Sequence, residues 1–307
     1  MALNGKVMGL ADAISRFVPD GAAVVMGTCL ESMIPFAAGH ELIRQRRRDL
    51  TLVGPISDML FDQLIGAGCV ARIQAAWVGN VSAGLGHAYR RAAEQGIPRP
   101  ITVEDYTNYT ISLALLAGAH GIPFVPCRSG PGSDITRDHP GFAEGTSPFE
   151  HEKVLLVRAL RPDVTIVAVQ RADAEGNAHL WGNLGITEEA GLAADGIILL
   201  AEEIVEREVI LSDPNRVLFP AFLVRAVVHC PGACHPSPVQ GYYRRDHEFY
   251  AEYHQQTRTV EGMNVWLDRW VYGLHDQAAY LAQLGRERWG ILRRMRPAPA
   301  AAVDYAW

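Results

Sequence analysis

Short apolar runs alternate with segments of helical periodicity over most of this sequence. The runs "GAAVVMG" (21–27), "DLTLVGP" (49–55) and "CVARIQAAWVG" (69–79) are each followed by a segment whose apolar residues recur three to four positions apart. The alternation returns in "DVTIVAV" (163–169) and "GIILLAEEIV" (196–205). Nearly continuous apolar runs are typical of strands buried on both faces. The sequence therefore predicts an α/β fold with an open, mainly parallel sheet and flanking helices.

The C-terminal region shows helical periodicity alone. From residue 244 to about 293, Tyr, Trp, Leu and Val recur at spacings of three to four residues, which predicts a helical extension. No internal repeat or clear linker divides the chain. We therefore expect a single domain over residues 1–293, followed by a Pro/Ala-rich tail over residues 294–307.

A long polar segment interrupts the alternation. Residues 127–150, "CRSGPGSDITRDHPGFAEGTSPFE", are rich in Gly, Pro, Ser and charged residues, and they predict a long loop. A loop of this length inside a compact domain is usually functional. Its first part, "RSGPGSD", resembles a phosphate-cradling loop because Gly permits close backbone approach while Arg and Ser donate hydrogen bonds. The segment lacks P-loop spacing, so ATP binding is not predicted.

Composition excludes several classes of protein. The formal net charge is −6, which argues against a nucleic-acid partner, and no apolar run approaches the roughly 18 residues of a membrane span. The N-terminal stretch lacks an apolar core of signal-peptide type, so we expect a cytoplasmic protein. Five scattered cysteines do not form a disulfide framework. The segment "HCPGACH" (229–235) lacks a second ligand pair elsewhere, and no metal site is predicted.

Polar residues gather where predicted strands end, which is where open α/β sheets bind ligands. In "VAVQRADAEGNAHLWG" (167–182), Gly and Asn explain a tight turn, but they do not explain the preceding Gln170. Glu31 and Ser32 follow the first strand. Asn80 and Ser82 lie in a glycine-rich turn, where hydrogen bonding to a substrate carboxylate and a plain turn are equally good interpretations.

Four stretches, taken in order, resemble one family. They are "TVEDYTNYTISLALLAGAHGIPFVP", "RSGPGSDI", "LRPDVTIVAVQRADAEGNAHLWG" and "GACHPSPVQGYYRRDHEFYAEY", within roughly residues 20–255. This set resembles the α subunits of two-subunit family I coenzyme A transferases, of the glutaconate CoA-transferase type. The resemblance implies an open α/β subunit that pairs with a homologous β subunit, usually as an α₂β₂ heterotetramer, with the active site at their interface. The substrates would be acyl-CoA and a small carboxylic acid, with no permanently bound cofactor.

The resemblance also implies a division of chemistry between the subunits. These transferases use a glutamate nucleophile, which in two-subunit members lies on the β subunit. This chain would supply the pocket walls: Glu31, Ser32, Asn80, Ser82, Arg128, Ser129, Gly130, Ser133, Gln170 and His235. The stretch "TCLES" departs from the more glycine- or aromatic-rich loop of many relatives. Glu31 is accordingly either a displaced nucleophile or a solvated loop carboxylate.

Two adjacent acidic residues are the candidates for a catalytic role in this chain. Glu104 and Asp105 precede a helix expected to begin near Tyr106, so Asp105 is interpreted either as its N-cap or as part of the substrate cleft. In similar proteins that hydrolyse or ring-open CoA thioesters, a glutamate in this region looks catalytic. A hydrolase or decarboxylase that uses Glu104 or Asp105 is therefore the first alternative, and a non-catalytic binding subunit is the second.

Overall fold

The computed structural model describes residues 5–293, and the predicted tail over residues 294–307 lies outside this range. The strands, in chain order, are β1 (Ala23–Val25), β2 (Leu50–Ile56), β3 (Val70–Trp77), β4 (Gly79–Asn80), β5 (Gly84–Leu85), β6 (Thr102–Asp105), β7 (Phe124–Cys127), β8 (Phe142–Thr146), β9 (Lys153–Arg158), β10 (Val164–Ala172), β11 (Ala178–His179), β12 (Ile197–Ile204) and β13 (Val224–His229). The α-helices are α1 (Leu10–Phe17), α2 (Phe36–Arg44), α3 (Asp58–Gly66), α4 (His87–Gln95), α5 (Asn108–Ala119), α6 (Thr187–Ala193), α7 (Arg207–Leu211), α8 (His247–Gln256), α9 (Val260–Leu267), α10 (Gln277–Leu284) and α11 (Arg286–Arg293).

The main sheet has the strand order β13-β12-β10-β1-β2-β3-β6, and every neighbouring pair in this order is parallel. Strand β11 adds a short antiparallel pairing at the end of β10. The central strand β10 is buried along its first seven residues because helices and a second layer cover both faces. The predicted α/β fold with a mainly parallel sheet and a helical C-terminal region is confirmed.

Two apolar clusters cover the two faces of the main sheet. The larger cluster packs α1–α3 and the C-terminal helices against one face. The smaller joins Val25 and Val53 of the sheet to residues of α5, α6, β7 and β9. No helix within residues 5–293 is long and apolar enough to cross a membrane.

A separate antiparallel sheet of order β7-β9-β8 lies beside α5. The sequence was expected to form one long loop over residues 127–150, and this expectation is wrong for β8, which pairs with β9. The apolar run of β9 resembles that of a buried parallel strand. Its partners, however, are β7 and β8 rather than strands of the main sheet.

Helix α5 is fixed against the segment between β9 and β10. The backbone N–H of Leu160 donates to the carbonyl of Ala114, and a Cβ atom placed on Gly118 would overlap the carbonyl oxygen of Leu160. Gly118 is therefore required by close packing rather than by an unusual backbone angle. This contact holds against α5 the segment that follows Arg158 and carries Arg161.

We expect Gly118→Ala to destabilise the protein by about 1–3 kcal/mol because this backbone contact must open. This loss should exceed the gain of about 1 kcal/mol that alanine brings to a helix interior. The matched control is Gly290→Ala in α11, where a Cβ meets no atom within 4 Å, so that variant should not lose stability. Urea unfolding of both variants measures the difference. Equal stability of the two would contradict the packing role of Gly118.

Candidate active site

Glu104 lies near the end of β6 and is held by two side chains of the neighbouring strand. Its partner in the β3–β6 register is Gln74, whose Nε2 donates to Oε2 at 2.6 Å, while Arg72 forms an ion pair with Oε1. Arg72 and Gln74 are two positions apart on β3, so both face the same side of the sheet as Glu104. The carboxyl group is buried and fixed in orientation, yet it retains lone pairs for a further donor.

An open cleft of about 710 Å³ adjoins this carboxylate. One wall is the sheet face that carries Arg72, Gln74 and Glu104. The other is formed largely by the end of β9 and the segment that follows it. That second wall carries Arg158 and Arg161, neither of which makes an ion pair within 4.0 Å with a residue of the described chain. Because Arg72 is already paired with Glu104, the cleft carries excess positive charge that suits an anionic ligand.

Tyr106 lines the cleft and packs against two further aromatic side chains. Tyr106 contacts the ring of His139 edge-on at a centroid distance of 4.7 Å, and His139 stacks on Phe142 at 4.0 Å. Burial, with a smaller contribution from Glu104, raises the pKa of the Tyr106 hydroxyl. Burial also lowers the pKa of His139, against the opposing charges of Glu104 and Asp105. Both groups therefore favour their neutral forms near neutral pH.

The structure separates the two acidic candidates. Successive side chains of a strand point to opposite faces, so Asp105 faces away from the cleft and is exposed. The expectation that Asp105 caps the following helix is wrong. Thr107 is the N-cap of α5, and its side chain and that of Thr110 satisfy each other's backbone N–H groups. Of the pair, only Glu104 is placed to contact a ligand in the cleft.

The "RSGPGSD" loop lies beside a different hollow. Arg128 forms an ion pair with Glu152, and the hydroxyl of Ser133 accepts from the N–H of Ile135 to begin a short 3₁₀ turn. Gly130 adopts φ = 108°, and Ser129 supplies a carbonyl acceptor to the thiol of Cys127. The structure thus brings Arg128 to an apolar groove on the small sheet and not to the Glu104 cleft.

In the stretch that begins "VAVQRAD", the polar side chains hydrogen-bond mainly to backbone groups of the same stretch. Asp173 Oδ1 accepts from the N–H groups of residues 175, 176 and 177, each at 2.9 Å, and Gly176 takes φ = 97° in the turn. Gln170 is fully buried, and its amide donates to the carbonyl of Trp181 at 2.9 Å. These contacts explain the polar residues by turn and strand geometry, and they leave Gln170 away from the cleft.

The loop after β1 has an unusual backbone. Leu30 and Met33 have φ angles of 59° and 54°, values that are uncommon for residues other than glycine. Ser32 is buried and donates to the carbonyl of Cys29 at 3.1 Å. Glu31 is exposed, and its carbonyl accepts from the hydroxyl of Ser237. Both predicted residues are at the carboxyl end of β1, outside the Glu104 cleft.

The remaining predicted residues make internal contacts. Asn80 is buried and donates to the carbonyl of Tyr250 at 2.7 Å, while exposed Ser82 accepts from Arg245. His235 is fully buried between Asp246, at 3.0 Å from Nε2, and the hydroxyl of Tyr280, at 2.7 Å from Nδ1. Burial lowers the pKa of His235, so the ring is neutral and donates to Asp246. In residues 5–293, no cluster of three His, Cys, Asp or Glu residues is arranged to hold a metal ion.

The sequence predictions omitted the residues that surround Glu104. Arg72 and Gln74 stand two apart in the otherwise apolar "CVARIQAAW", a pattern that indicates a polar patch on one strand face. Arg158 and Arg161 flank the end of another apolar run. The pairing of β3 with β6 brings Arg72 and Gln74 to Glu104. The end of β9 and the segment after it place Arg158 and Arg161 in the same cleft.

The fold belongs to a known class. The coenzyme A transferase family profile matches residues 7–230, and the chain belongs to this family. The A-type subunit of 3-oxoadipate CoA-transferase from Pseudomonas knackmussii is 38% identical over 280 residues, covering 91% of this chain and 98% of that protein. The A-type subunit of glutaconate CoA-transferase from Acidaminococcus fermentans is 32% identical over 300 residues, covering 92% and 93% respectively.

Solved structures agree. The glutaconate coenzyme A-transferase of Acidaminococcus fermentans matches with a TM-score of 0.89 and 31% identity, covering 94% of this chain and 96% of that one. A variant of the decarboxylase AibA/AibB matches with a TM-score of 0.72 and 28% identity, covering 86% of this chain and all of that one. The chain is an A-type, or α, subunit of an enzyme that moves CoA between an acyl-CoA and a carboxylic acid.

Proposed function

We propose that this chain works together with a β subunit, as a cytoplasmic α₂β₂ enzyme, on short dicarboxylic acids and their CoA thioesters. The β subunit carries the nucleophilic glutamate, and this chain supplies Glu104 and the arginine-bearing wall. One observation carries the proposal: a carboxylate fixed by Arg72 and Gln74 faces a cleft whose other wall holds Arg158 and Arg161 without ion pairs to described residues. The dicarboxylic substrates named for the two A-type relatives support the choice of acid.

The chemistry needs no bound cofactor. The glutamate carboxylate attacks the thioester carbonyl, the C–S bond breaks, and CoA leaves as a thiolate with an acyl anhydride formed on the enzyme. The thiolate then attacks the glutamyl carbonyl of that anhydride, which releases the first acid and forms a glutamyl-CoA thioester. The second acid repeats these steps in reverse. The first step exchanges a C–S bond for a C–O bond, and the second step reverses that exchange. The overall reaction therefore requires neither an external nucleotide nor a redox group.

Each residue of this chain has a defined part in the proposal. Arg158 and Arg161 attract the free carboxylate of the acyl group, and their planar donors match its two oxygens. Glu104 accepts a hydrogen bond or a proton from the bound substrate. A hydrolase that uses Glu104 as its general base would need the same cleft. The transferase is favoured because both A-type relatives described above carry transferase names.

The test is CoA exchange by the purified pair. We expect the chain, co-expressed with a β-type CoA-transferase subunit from the same genome, to exchange CoA between succinyl-CoA and short dicarboxylic acids. Monocarboxylic acids of equal length should exchange at least tenfold more slowly, since they lack the second carboxylate that Arg158 and Arg161 attract. The β-type subunit assayed without this chain gives the background rate.

Three outcomes would contradict the proposal in different ways. Thioester loss without an acceptor acid, abolished by Glu104→Gln, would assign a hydrolase. Equal exchange of monocarboxylic and dicarboxylic acids would remove the role of Arg158 and Arg161. An assembled pair that shows neither exchange nor hydrolysis with a broad acyl-CoA panel would indicate a binding subunit.

A further inference from the structure

Tyr106 extends the strand pairing that positions Glu104. It follows directly after β6, and its backbone N–H donates to the carbonyl of Ala75 on β3 at 3.0 Å. Because alternate residues of an extended segment share a face, the side chain of Tyr106 lies on the same side of the sheet as that of Glu104. Both residues line the cleft. Strand pairing therefore places a carboxylate and a phenol side by side in one cavity.

The ring of Tyr106 is held in place by its neighbours. It belongs to the smaller apolar cluster, and its edge-to-face contacts have centroid distances of 4.7 Å to His139 and 5.2 Å to Phe142. The residue as a whole is 3% exposed. A ring packed in this way has little freedom to rotate away. Its hydroxyl is therefore a hydrogen-bonding group that is already oriented before a ligand binds.

The hydroxyl of Tyr106 lies against Gly141. A Cβ atom placed on Gly141 would stand 2.5 Å from the hydroxyl oxygen, so a larger residue there would displace it. Gly141 also lines the cleft, and its carbonyl accepts from the N–H of Arg158 at 2.9 Å. One glycine therefore adjoins the phenol and is hydrogen-bonded to the strand that carries Arg158. The close approach of the phenol requires glycine at this position.

This hydroxyl has a proton to donate, and no group within residues 5–293 accepts it. Burial raises its pKa, and the charge of Glu104 raises it further, so the phenol is neutral near neutral pH. The hydroxyl is not among the unpartnered polar atoms of that range that are sealed from solvent, so it opens onto the cleft. A buried tyrosine normally has a partner for its hydroxyl. A ligand in the cleft would be that partner.

The two charged groups that act on the hydroxyl have opposite signs. They are Glu104 and Arg158, and each shifts the pKa of Tyr106. Glu104 is already bound to Arg72 and Gln74, whereas Arg158 makes no ion pair within residues 5–293. An anion held by Arg158 would therefore lie near a second negative charge, which repels it. A hydrogen bond from the neutral phenol offsets this repulsion, because hydrogen bonds to charged acceptors are strong.

We propose that Tyr106 determines specificity in this cleft: its hydroxyl donates to the free carboxylate of the substrate that Arg158 binds. Gly141 allows the hydroxyl to take up that position. This role rests on the proposed function, which supplies a substrate with a second carboxylate. A monocarboxylic acid of equal length has a methyl group there, and it leaves the phenol without an acceptor.

The test compares two acceptor acids in CoA exchange by the assembled pair, with succinyl-CoA as donor. Glutarate and pentanoate have the same chain length and differ in the second carboxylate. In a ping-pong reaction, kcat/KM for the acceptor reports on the acceptor's half-reaction alone. Tyr106→Phe should lower kcat/KM for glutarate about tenfold, the loss expected for one hydrogen bond to a charged group. The value for pentanoate should stay within about twofold, because that acid makes no such bond.

Two further variants separate the hydroxyl from packing. Tyr109→Phe is the matched control, since Tyr109 is 54% exposed and does not line the cleft. It should leave both values within about twofold of wild type, as for most surface substitutions. Gly141→Ala should lower kcat/KM for glutarate by a similar factor to Tyr106→Phe, because its methyl group displaces the hydroxyl. In the Tyr106→Phe background the same alanine should cost little more, since the phenyl ring lacks that oxygen.

Each outcome either supports or overturns the role of the hydroxyl. A loss specific to glutarate in Tyr106→Phe supports it. An equal loss for both acids would place the hydroxyl at a group that the two acids share, and an unchanged value for glutarate would remove it from binding. Both of these results overturn the role. Additive effects of Gly141→Ala and Tyr106→Phe would contradict the contact between the two residues. Thermal unfolding checks that every variant folds.

Calorimetric titration of the assembled pair with glutarate separates this role from the proposed function. If the wild-type pair binds glutarate but exchanges no CoA, and Tyr106→Phe weakens that binding about tenfold, the hydroxyl donor stands and the proposed reaction fails. If wild type and Tyr106→Phe exchange CoA with glutarate equally well, the function stands and the donor fails. A wild-type pair that neither binds glutarate nor exchanges CoA with it overturns both.

Discussion

Replacing Glu104 with glutamine in the assembled enzyme should lower the rate of CoA exchange by roughly 100-fold or more, the usual contribution of a positioned acid or base. The amide has the shape of the carboxylate and keeps an oxygen acceptor for Arg72. The change therefore removes the negative charge and the proton-accepting ability with little change in packing. Steady-state kinetics of exchange at saturating acyl-CoA measure the effect on kcat.

The matched control is Asp105→Asn, one residue along the same strand and on its opposite face. Because Asp105 is exposed and faces away from the cleft, we expect its exchange rate to stay within about twofold of wild type. Residual exchange in Glu104→Gln fits a nucleophile on the β subunit. A threefold loss or less in Glu104→Gln, or a larger loss in Asp105→Asn, would overturn the assignment of Glu104 to the reaction.

Asp246→Ala should destabilise the chain by about 3–5 kcal/mol at pH 7, because it leaves buried partners without their acceptor. Asp246 accepts from Arg288 Nε and Nη2 at 2.6 and 2.8 Å and from the ring of His235. It also caps α8 through the N–H of Phe249. One carboxylate therefore links α8, α11 and the loop that carries His235. Urea unfolding of the isolated chain gives the free-energy difference.

The Asp246 carboxylate also makes the stability of the folded chain depend on pH. Burial alone would raise the pKa of Asp246, but hydrogen bonds from His235 and Arg288 outweigh it and lower that pKa. A lowered folded-state pKa contributes stability that is complete above the unfolded value and is lost progressively below about pH 5. The gap between wild type and Asp246→Ala should thus narrow between pH 7 and pH 3.5. A constant gap would contradict this account.

Asp276→Ala provides the control for helix capping alone. Asp276 caps α10 through the N–H of Ala279 at 2.8 Å and is about half exposed. Its removal should cost about 1 kcal/mol, the usual value of an N-cap. If the two substitutions lowered the free energy of unfolding equally, Asp246 would contribute only as a helix cap.

The main sheet could be predicted because each of its long strands is recognisable from its own apolar sequence. Apolar runs such as "DVTIVAV" are long enough to predict a strand that is buried on both faces, whichever strands lie beside it. The small sheet was not predicted because β8, "FAEGT", has no such run, and β9 looks locally like a parallel strand. Pairing partners depend on contacts distant in sequence. Local composition could not distinguish the two sheets.

Some features of the candidate site could be identified from the sequence, and others required the folded structure. Glu104 was a candidate because it precedes a predicted helix and because similar proteins that hydrolyse CoA thioesters have a glutamate in this region. Its separation from Asp105 needed the register of β6 with β3. His235 and Gln170 were attractive as polar residues in matching stretches, yet both are buried and satisfied by internal hydrogen bonds. Burial is a property of the folded chain. Residue type therefore suggested chemistry at positions that the fold uses for structure.

The position of β6 has a consequence for aggregation. The main sheet has two edges, and the edge at β13 is covered by a parallel bridge from Val7 to Val227. The other edge is β6, whose outer backbone groups are the natural template for a stray strand from another chain. Its four residues end in Glu104 and Asp105, and a short strand with adjacent charges is a poor template. The acidic pair thus also disfavours edge-to-edge pairing between two chains.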